Sequence, residues 1–392
     1  MDGRATQRPL RVAIACPGVG LVQRGYERMF RDLFDLMQGE VDATLFKGGG
    51  ATGEREKIPV FLPRNGLVVR ALPVHRLVGR APMHTEGLTF GLGLLPHLRG
   101  GRFDIVHCID PPVARTLYAA RRKLGLGFRL LFTHGCSMPP EIYPPADHIQ
   151  ETAKVTRDEA IAAGIPAAGL TLLPPGFHPA RFETPLTREA IRRKHGVSNE
   201  TFVILSIAAL NRSHKRTHYL VDEAARLEGD VLLWLDGSLD HGDPGLVDYA
   251  RARLGDRCKV THVPSSEVGE LHRMADVMAH AALFEAFGLS IVEAAAMGLP
   301  VIVHDAPHFR WLLPNPLAWT DMSRPGALAA RLAFLREHRE ALAEVRCAGP
   351  TRARFAWDNL REGYRDLYEH VASLPMLVPR QPGKAYFRKL HE

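Results

Sequence analysis

Short runs of β-branched and aliphatic residues alternate along the chain with longer stretches whose apolar positions recur every three or four residues. That alternation predicts parallel sheets covered by helices on both faces, because a parallel strand is buried on both sides and its crossover is usually helical. In the first half, strands are predicted at Arg11–Cys16, Val41–Phe46, Asp104–Ile109, Arg129–Thr133 and Leu170–Leu173. Helices are predicted between them at Gly25–Met37, Glu86–Leu98, Pro112–Leu124 and Val155–Ala163.

After the proline-rich stretch LLPPGFHPARFETPLTREA the alternation starts afresh. The new strands are Phe202–Ala208, Val231–Leu235, Lys259–Val263, Val277–His280 and Val301–His304. These are too many strands for one eight-stranded barrel and no repeat is visible, so two doubly wound α/β domains are the simplest architecture, with ligand in the cleft between them. The expected layout is an N-terminal domain over 1–178, a linker over 179–198, a second domain over 199–356, a helix over 357–373 packing back toward the first domain, and a basic tail over 374–392.

Composition narrows the picture modestly. A chain of 392 residues, 46% hydrophobic and 24% charged, can bury two cores without covalent staples. Its five cysteines, Cys16, Cys108, Cys136, Cys258 and Cys347, are odd in number and lack a C-x-x-C pair, which argues against a disulfide framework and fits a reducing cytoplasm. The first residues run straight into a strand without a signal-peptide pattern, and no apolar stretch is long enough to span a bilayer. A formal charge of +7 suits anionic partners without choosing among them.

The chemistry concentrates in HAALFEAFGLSIVEAAAMGLPVIVHD. Here a strand ends, Phe287-Gly288 turns, a helix runs to about Met297, and Gly298 with Pro300 stops it. The first amides of that helix, around Gly288, Leu289 and Ser290, can hold phosphate oxygens or sugar hydroxyls. Glu285 lies before the turn and Glu293 inside the helix, spaced to flank one extended ligand; each carboxylate can accept from a vicinal diol. Read singly, Glu285 would be a solvated loop charge and Glu293 a helix-dipole residue.

Taken together, E-A-F-G-L-S-I-V-E-A-A-A-M-G-L-P-V-I resembles the E-x7-E segment of glycosyltransferase family 4, retaining enzymes of the GT-B fold. The resemblance implies that Glu285 contacts a donor hexose, that Glu293 binds a ribose, and that the backbone of Phe287, Gly288, Leu289 and Ser290 holds sugar and diphosphate. Upstream, VILSIAALNRSHKRTHYLVDEAARLE is similar to the family's strand, basic loop and helix, which implies that Arg212 and Lys215 neutralise the departing diphosphate. The family commonly places its arginine where this chain has Leu210, and a glycine where it has Arg216. Gly237, at the end of the next strand, is added to the donor-binding set.

In the first half, CPGVGLVQRGYERMF follows a strand and opens a helix, but fails as a dinucleotide fingerprint because its third glycine position is Gln23. It resembles the family's N-terminal glycine loop, with Arg24 replacing one glycine and Gly25 and Glu27 echoing G-G-x-E. That implies close backbone approach of a ligand at Gly18 and Gly20. RLLFTHG sets His134 at the C-terminal end of a strand, where open parallel sheets bind ligands, and the family has a histidine near the donor sugar and acceptor in this setting.

The family resemblance implies transfer without a metal or cofactor, with the donor a nucleotide-diphosphate sugar and the acceptor a glycan, a lipid-linked glycan or a small molecule. No D-x-D element or ligand cluster contradicts this. Competing readings are a nucleotide-sugar epimerase or hydrolase on the same architecture, and a basic protein that binds a membrane surface through Arg24, Arg28 and Arg31 beside Tyr26, Phe30 and Phe34. No motif for nucleic-acid recognition is present.

Overall fold

The computed structural model describes residues 8–22, 25–66, 69, 82–136, 138–239 and 243–376; Arg24, residues 1–7 and the basic tail from 377 onward lie outside the described residues. The chain forms two compact units, Met1–Pro175 with Leu360–Glu392, and Gly176–Asn359.

The first unit is built on β1 (Arg11–Cys16), β2 (Asp42–Lys47), β3 (Glu56–Lys57), β4 (Ile105–Cys108), β5 (Arg129–His134), β6 (His148–Glu151) and β7 (Leu170–Leu172). All pair in parallel, in the order β3-β2-β1-β4-β5-β6-β7. The covering helices are α1 (Gly25–Leu36), α2 (Pro82–Gly101), α3 (Pro111–Leu124) and α4 (Lys154–Ala162). Local chemistry fixes their ends. Asp110 accepts from the amide of Val113 at 3.2 Å as the N-cap of α3, Pro111 follows it, and Gly125 closes the helix at φ +62°.

Two strands of this unit are absent from the sequence reading. β3 is only two residues long, and β6 reads HIQE with no alternation or apolar run, yet all four of its residues are buried. The polar groups of β6 find partners inside the fold. Gln150 accepts from Thr133 and donates to the Leu173 carbonyl and the Tyr364 hydroxyl, each at 2.8 Å, while His148 Nε2 lies 2.8 Å from Thr171 Oγ1. Tyr364 belongs to the long C-terminal helix Trp357–Ser373, whose residues from Leu360 onward are part of this unit.

The second unit carries α5 (Arg188–Lys194), β8 (Phe202–Ile207), α6 (Thr217–Ala225), β9 (Val231–Asp236), α7 (Leu246–Leu254), β10 (Cys258–Thr261), α8 (Val268–Met274), β11 (Val277–His280), α9 (Leu289–Ala296), β12 (Val301–His304), α10 (Pro307–Leu312) and β13 (Trp319–Thr320). Helices α11 (Ala327–Glu337), α12 (Ala341–Val345) and α13 (Ala348–Phe355) follow. Its sheet is again all parallel, in the order β10-β9-β8-β11-β12-β13. The segment read as a linker, 179–198, is folded within this unit. Arg192 of α5 is fully buried, donating to Asp276 and to the carbonyls of Met274, Ser198, Asn199 and Thr201.

Both sheets have the doubly wound order in which strand direction of travel reverses once, between β1 and β4 in the first unit and between β8 and β11 in the second. The crevice beyond the strand ends at such a reversal is where open α/β sheets hold ligands. The loops leaving those four strands are therefore where binding chemistry is expected.

Candidate active site

In the second unit the reversal point is flanked by the loop after β8, residues 208–216, and the loop after β11, residues 281–288. Asn211 shapes the first of these. Its buried side-chain oxygen accepts from the amides of His214 at 3.0 Å and Lys215 at 2.8 Å, and its carbonyl accepts from Thr217. Arg216 completes the turn at φ +50°, a left-handed conformation at the position where the family carries glycine. The guanidinium of Arg216 offsets that strain. It donates to the carbonyls of Ala281 at 3.1 Å and Met322 at 3.0 Å and lies over the Tyr219 ring.

This turn delivers Lys215 to Glu285. The ammonium donates to Glu285 Oε1, and His280 Nε2 lies 2.7 Å from the same oxygen. His214 Nε2 is 3.9 Å from Oε2. Glu285 is 5% exposed, so it is no solvated loop charge. Burial alone would push its carboxyl up, but the hydrogen bond and charge of His280 and the Lys215 ammonium outweigh that and hold it well below the usual carboxylate range. His280 is itself driven down by burial.

Beyond Glu285, the chain drops Phe287 into the core against Trp311 and Phe355. Its carbonyl accepts from His308 Nε2 at 2.9 Å, which fixes the peptide ahead of Gly288. Gly288 then turns at φ +94° into α9. The amides of Ile291 and Val292 are the first to close onto the Gly288 carbonyl, so those of Leu289 and Ser290 precede the helical ladder and are available to a ligand. Glu293 sits in the second turn of α9, 3% exposed, and is not a first-turn dipole residue. The helix ends in a Schellman arrangement: Leu299 donates to Ala294 and Gly298, at φ +84°, to Ala295.

Arg212 goes elsewhere. Its amide donates to Asp243 at 2.6 Å, and its guanidinium lies 4.7 Å from the Tyr249 ring and 3.4 Å from Asp243. Gly237 serves packing at the ends of β8 and β9. Its φ is +150°, and a Cβ there would fall 1.9 Å from the Ala208 carbonyl oxygen.

The remaining sequence candidates belong to the first unit. Gly20, at φ +82°, abuts the backbone of Gly49, where a Cβ would fall 2.0 Å from its carbonyl oxygen. The amides of Gly48 and Gly49 donate to Val19, so this glycine requirement comes from the packing of two loops. Gly18 lies against the Glu27 side chain and borders a pocket of about 220 Å³ with Leu21, Arg64 and Glu86 among its walls. His134 is 2% exposed at the end of β5, with Nδ1 2.9 Å from Glu151 Oε2 and 2.6 Å from the Tyr143 hydroxyl. The aromatic face of α1 is not offered to a membrane: Phe30 and Phe34 are buried, and Arg31 is paired with Asp35 and Glu56. Among the described residues no helix is long and apolar enough to cross a bilayer.

Asn211, His214, His280 and His308 were missed in the sequence. Asn211 carried a usable signal, since asparagine before a helix start folds its own backbone. The histidines carried none, because their partners are 5 to 70 residues away.

Residues 187–349 match the family model "Glycosyl transferases group 1". The chain is 25% identical over 255 residues to EpsD of Bacillus subtilis (strain 168), named as a glycosyltransferase, covering 58% of this chain and 65% of that one. It is 29% identical over 141 residues to the lipopolysaccharide glucosyltransferase WaaG of Escherichia coli (strain K12), covering 33% and 36%. The matches thus span less than two thirds of either relative's own length. Among solved structures, Anabaena HepE in complex with UDP and glucose superposes with a TM-score of 0.72 at 17% identity, covering 92% of this chain and 99% of that one. Residues 187–349 therefore resemble a glycosyl transferases group 1 domain, and the chain has the two-unit parallel α/β fold of the GT-B glycosyltransferases.

Proposed function

We propose that the protein is a retaining hexosyltransferase of family 4 type, moving a hexose from a nucleotide-diphosphate sugar to an acceptor hydroxyl without a metal ion. The observation that carries this is the pairing of Lys215 with the buried Glu285 beside the open amides of Leu289 and Ser290. These groups supply what the reaction demands. A cation and helix-start amides meet the charge that grows on the diphosphate as the sugar–phosphate bond breaks. Glu285 accepts from hexose hydroxyls and Glu293 from those of the ribose, each as an obligate acceptor. Arg212 enters this scheme as an outer cation at Asp243 and Tyr249. The acceptor is a glycan, lipid-linked glycan or small molecule bound by the first unit, with the enzyme in the cytoplasm or at the inner membrane face.

HepE binds UDP and glucose according to its structure, which makes UDP-hexoses the first donors to try. The test is nucleotide release and calorimetric binding with a panel of UDP-, GDP- and ADP-hexoses, with and without EDTA, for the native protein and for Glu285→Ala and Glu293→Ala. Turnover of one donor that survives EDTA and vanishes in both variants supports the proposal. Absence of binding across the panel sinks the donor site, and inhibition by EDTA sinks metal independence.

A further inference from the structure

In the first unit, His134 and Glu151 are register partners on the neighbouring strands β5 and β6, so their side chains emerge on the same face at the strands' C-terminal ends. Both are buried, at 2% and 0% exposure. His134 Nδ1 lies 2.9 Å from Glu151 Oε2. Thr156 donates to the same carboxylate oxygen at 2.7 Å, and the Tyr143 hydroxyl lies 2.6 Å from His134 Nδ1. The Thr152 hydroxyl ties down the His134 carbonyl at 2.9 Å. In the strand HIQE only Ile149 joins the apolar core; the last residue, Glu151, serves there as a hydrogen-bond acceptor.

We propose that Glu151 is a positioning residue that fixes His134 in the Nδ1–H tautomer, so that Nε2 presents a lone pair to a hydroxyl of the sugar substrate. A carboxylate only accepts, so the proton of the imidazole sits on Nδ1. Nε2 is then an acceptor, and it is buried without a hydrogen-bond partner among the described residues. Such an orphan at a strand's ligand end calls for a partner that the described residues do not supply. Chemistry narrows that partner. A lone pair backed by a buried carboxylate repels phosphate and carboxylate oxygens and attracts an O–H, so the group held there is a neutral hydroxyl. The inference rests on the glycosyl-transfer reading for the identity of that hydroxyl, though not for the tautomer.

The discriminating variant is Glu151→Leu, which keeps the bulk but removes the acceptor, so that the Tyr143 hydroxyl donates to Nδ1 and the proton moves to Nε2. In the native protein, ¹⁵N imidazole spectra should assign His134 to the Nδ1–H form, and in Glu151→Leu to the Nε2–H form. On that variant, kcat should fall about a hundredfold or more, the scale of losing a correctly placed proton acceptor. UDP binding to the second unit should be unchanged, and adding His134→Gln should cause no further loss. Two results overturn the proposal: an Nε2–H signal for His134 in the native protein, or Glu151→Leu with a flipped tautomer and unchanged kcat. A native protein that turns over no donor at all would count against the glycosyltransferase reading alone, since the spectra decide the tautomer independently.

Discussion

Lys215 and Glu285 satisfy one another: the ammonium donates to Oε1 of a carboxylate that is 5% exposed, and His280 holds that oxygen from the buried side at 2.7 Å. Two groups assigned to different parts of one ligand thus occupy each other in the free protein. A diphosphate would compete for the ammonium, while His280 would keep the carboxylate in place.

The two partners should therefore respond oppositely to substitution. Lys215→Ala is expected to weaken UDP binding about tenfold or more, the size of a lost charge-assisted hydrogen bond. Glu285→Gln frees the lysine, so UDP should bind as tightly as in the native protein or more tightly, while turnover falls about a hundredfold. Calorimetry and product formation measure the two effects. Equal weakening of UDP by both changes would show that the pair does not compete with the diphosphate.

Arg216 separates backbone strain from side-chain bonding. Arg216→Ala loses the bonds to Ala281 and Met322 and keeps a Cβ at φ +50°; Arg216→Gly loses the bonds but relieves the backbone. The glycine variant should be more stable than the alanine variant by about 1 kcal/mol, read from urea denaturation. An alanine variant as stable as the glycine variant would mean that the turn relaxes out of the left-handed region.

Two glycines carry a similar contrast. Gly20→Ala would drive a methyl into the Gly49 backbone, whereas Gly18→Ala meets the Glu27 side chain, which can turn aside. Gly20→Ala is expected to destabilise the first unit by more than about 2 kcal/mol, and Gly18→Ala by less. Thermal melts of both variants decide it, and the reverse order would place the tight contact at Gly18.

Acid should loosen the first unit through His107. Burial holds its pKa down to about 3 against an ordinary 6.5, so the stabilisation is complete above pH 6.5. It is lost progressively below that, as the unfolded chain takes a proton the folded ring refuses. By pH 5 the loss is about 2 kcal/mol from this residue. His148, lowered to about 4 by burial and by His370, acts in the same window. The urea midpoint should fall from pH 7 to pH 5, and His107→Gln should flatten that slope. An unchanged slope would remove His107 as its source.

The architecture was legible because strands such as RVAIAC and VLLWLD are continuous apolar runs, and because the E-x7-E spacing sits on a strand–turn–helix where its chemistry needs it. β6 was not legible, since the partners that make HIQE tolerable in a core come from Thr133, Thr171 and Tyr364. The same holds for Glu285. Its burial follows from Lys215 and His280, which no local pattern links to it. Arg216 was legible as a departure from glycine, but the carbonyls that compensate for it lie 65 and 106 residues away.

The debt of β6 to the final helix also bears on how the chain is made. Gln150 donates to Tyr364, 214 residues later, and His107 pairs with Tyr368, 261 residues later. During synthesis the first sheet emerges long before its last hydrogen-bonding partners, and the whole of the second unit must leave the ribosome in between. The nascent N-terminal portion therefore waits with buried-type polar groups open to solvent, and its closure is a late event set by emergence of the helix Trp357–Ser373.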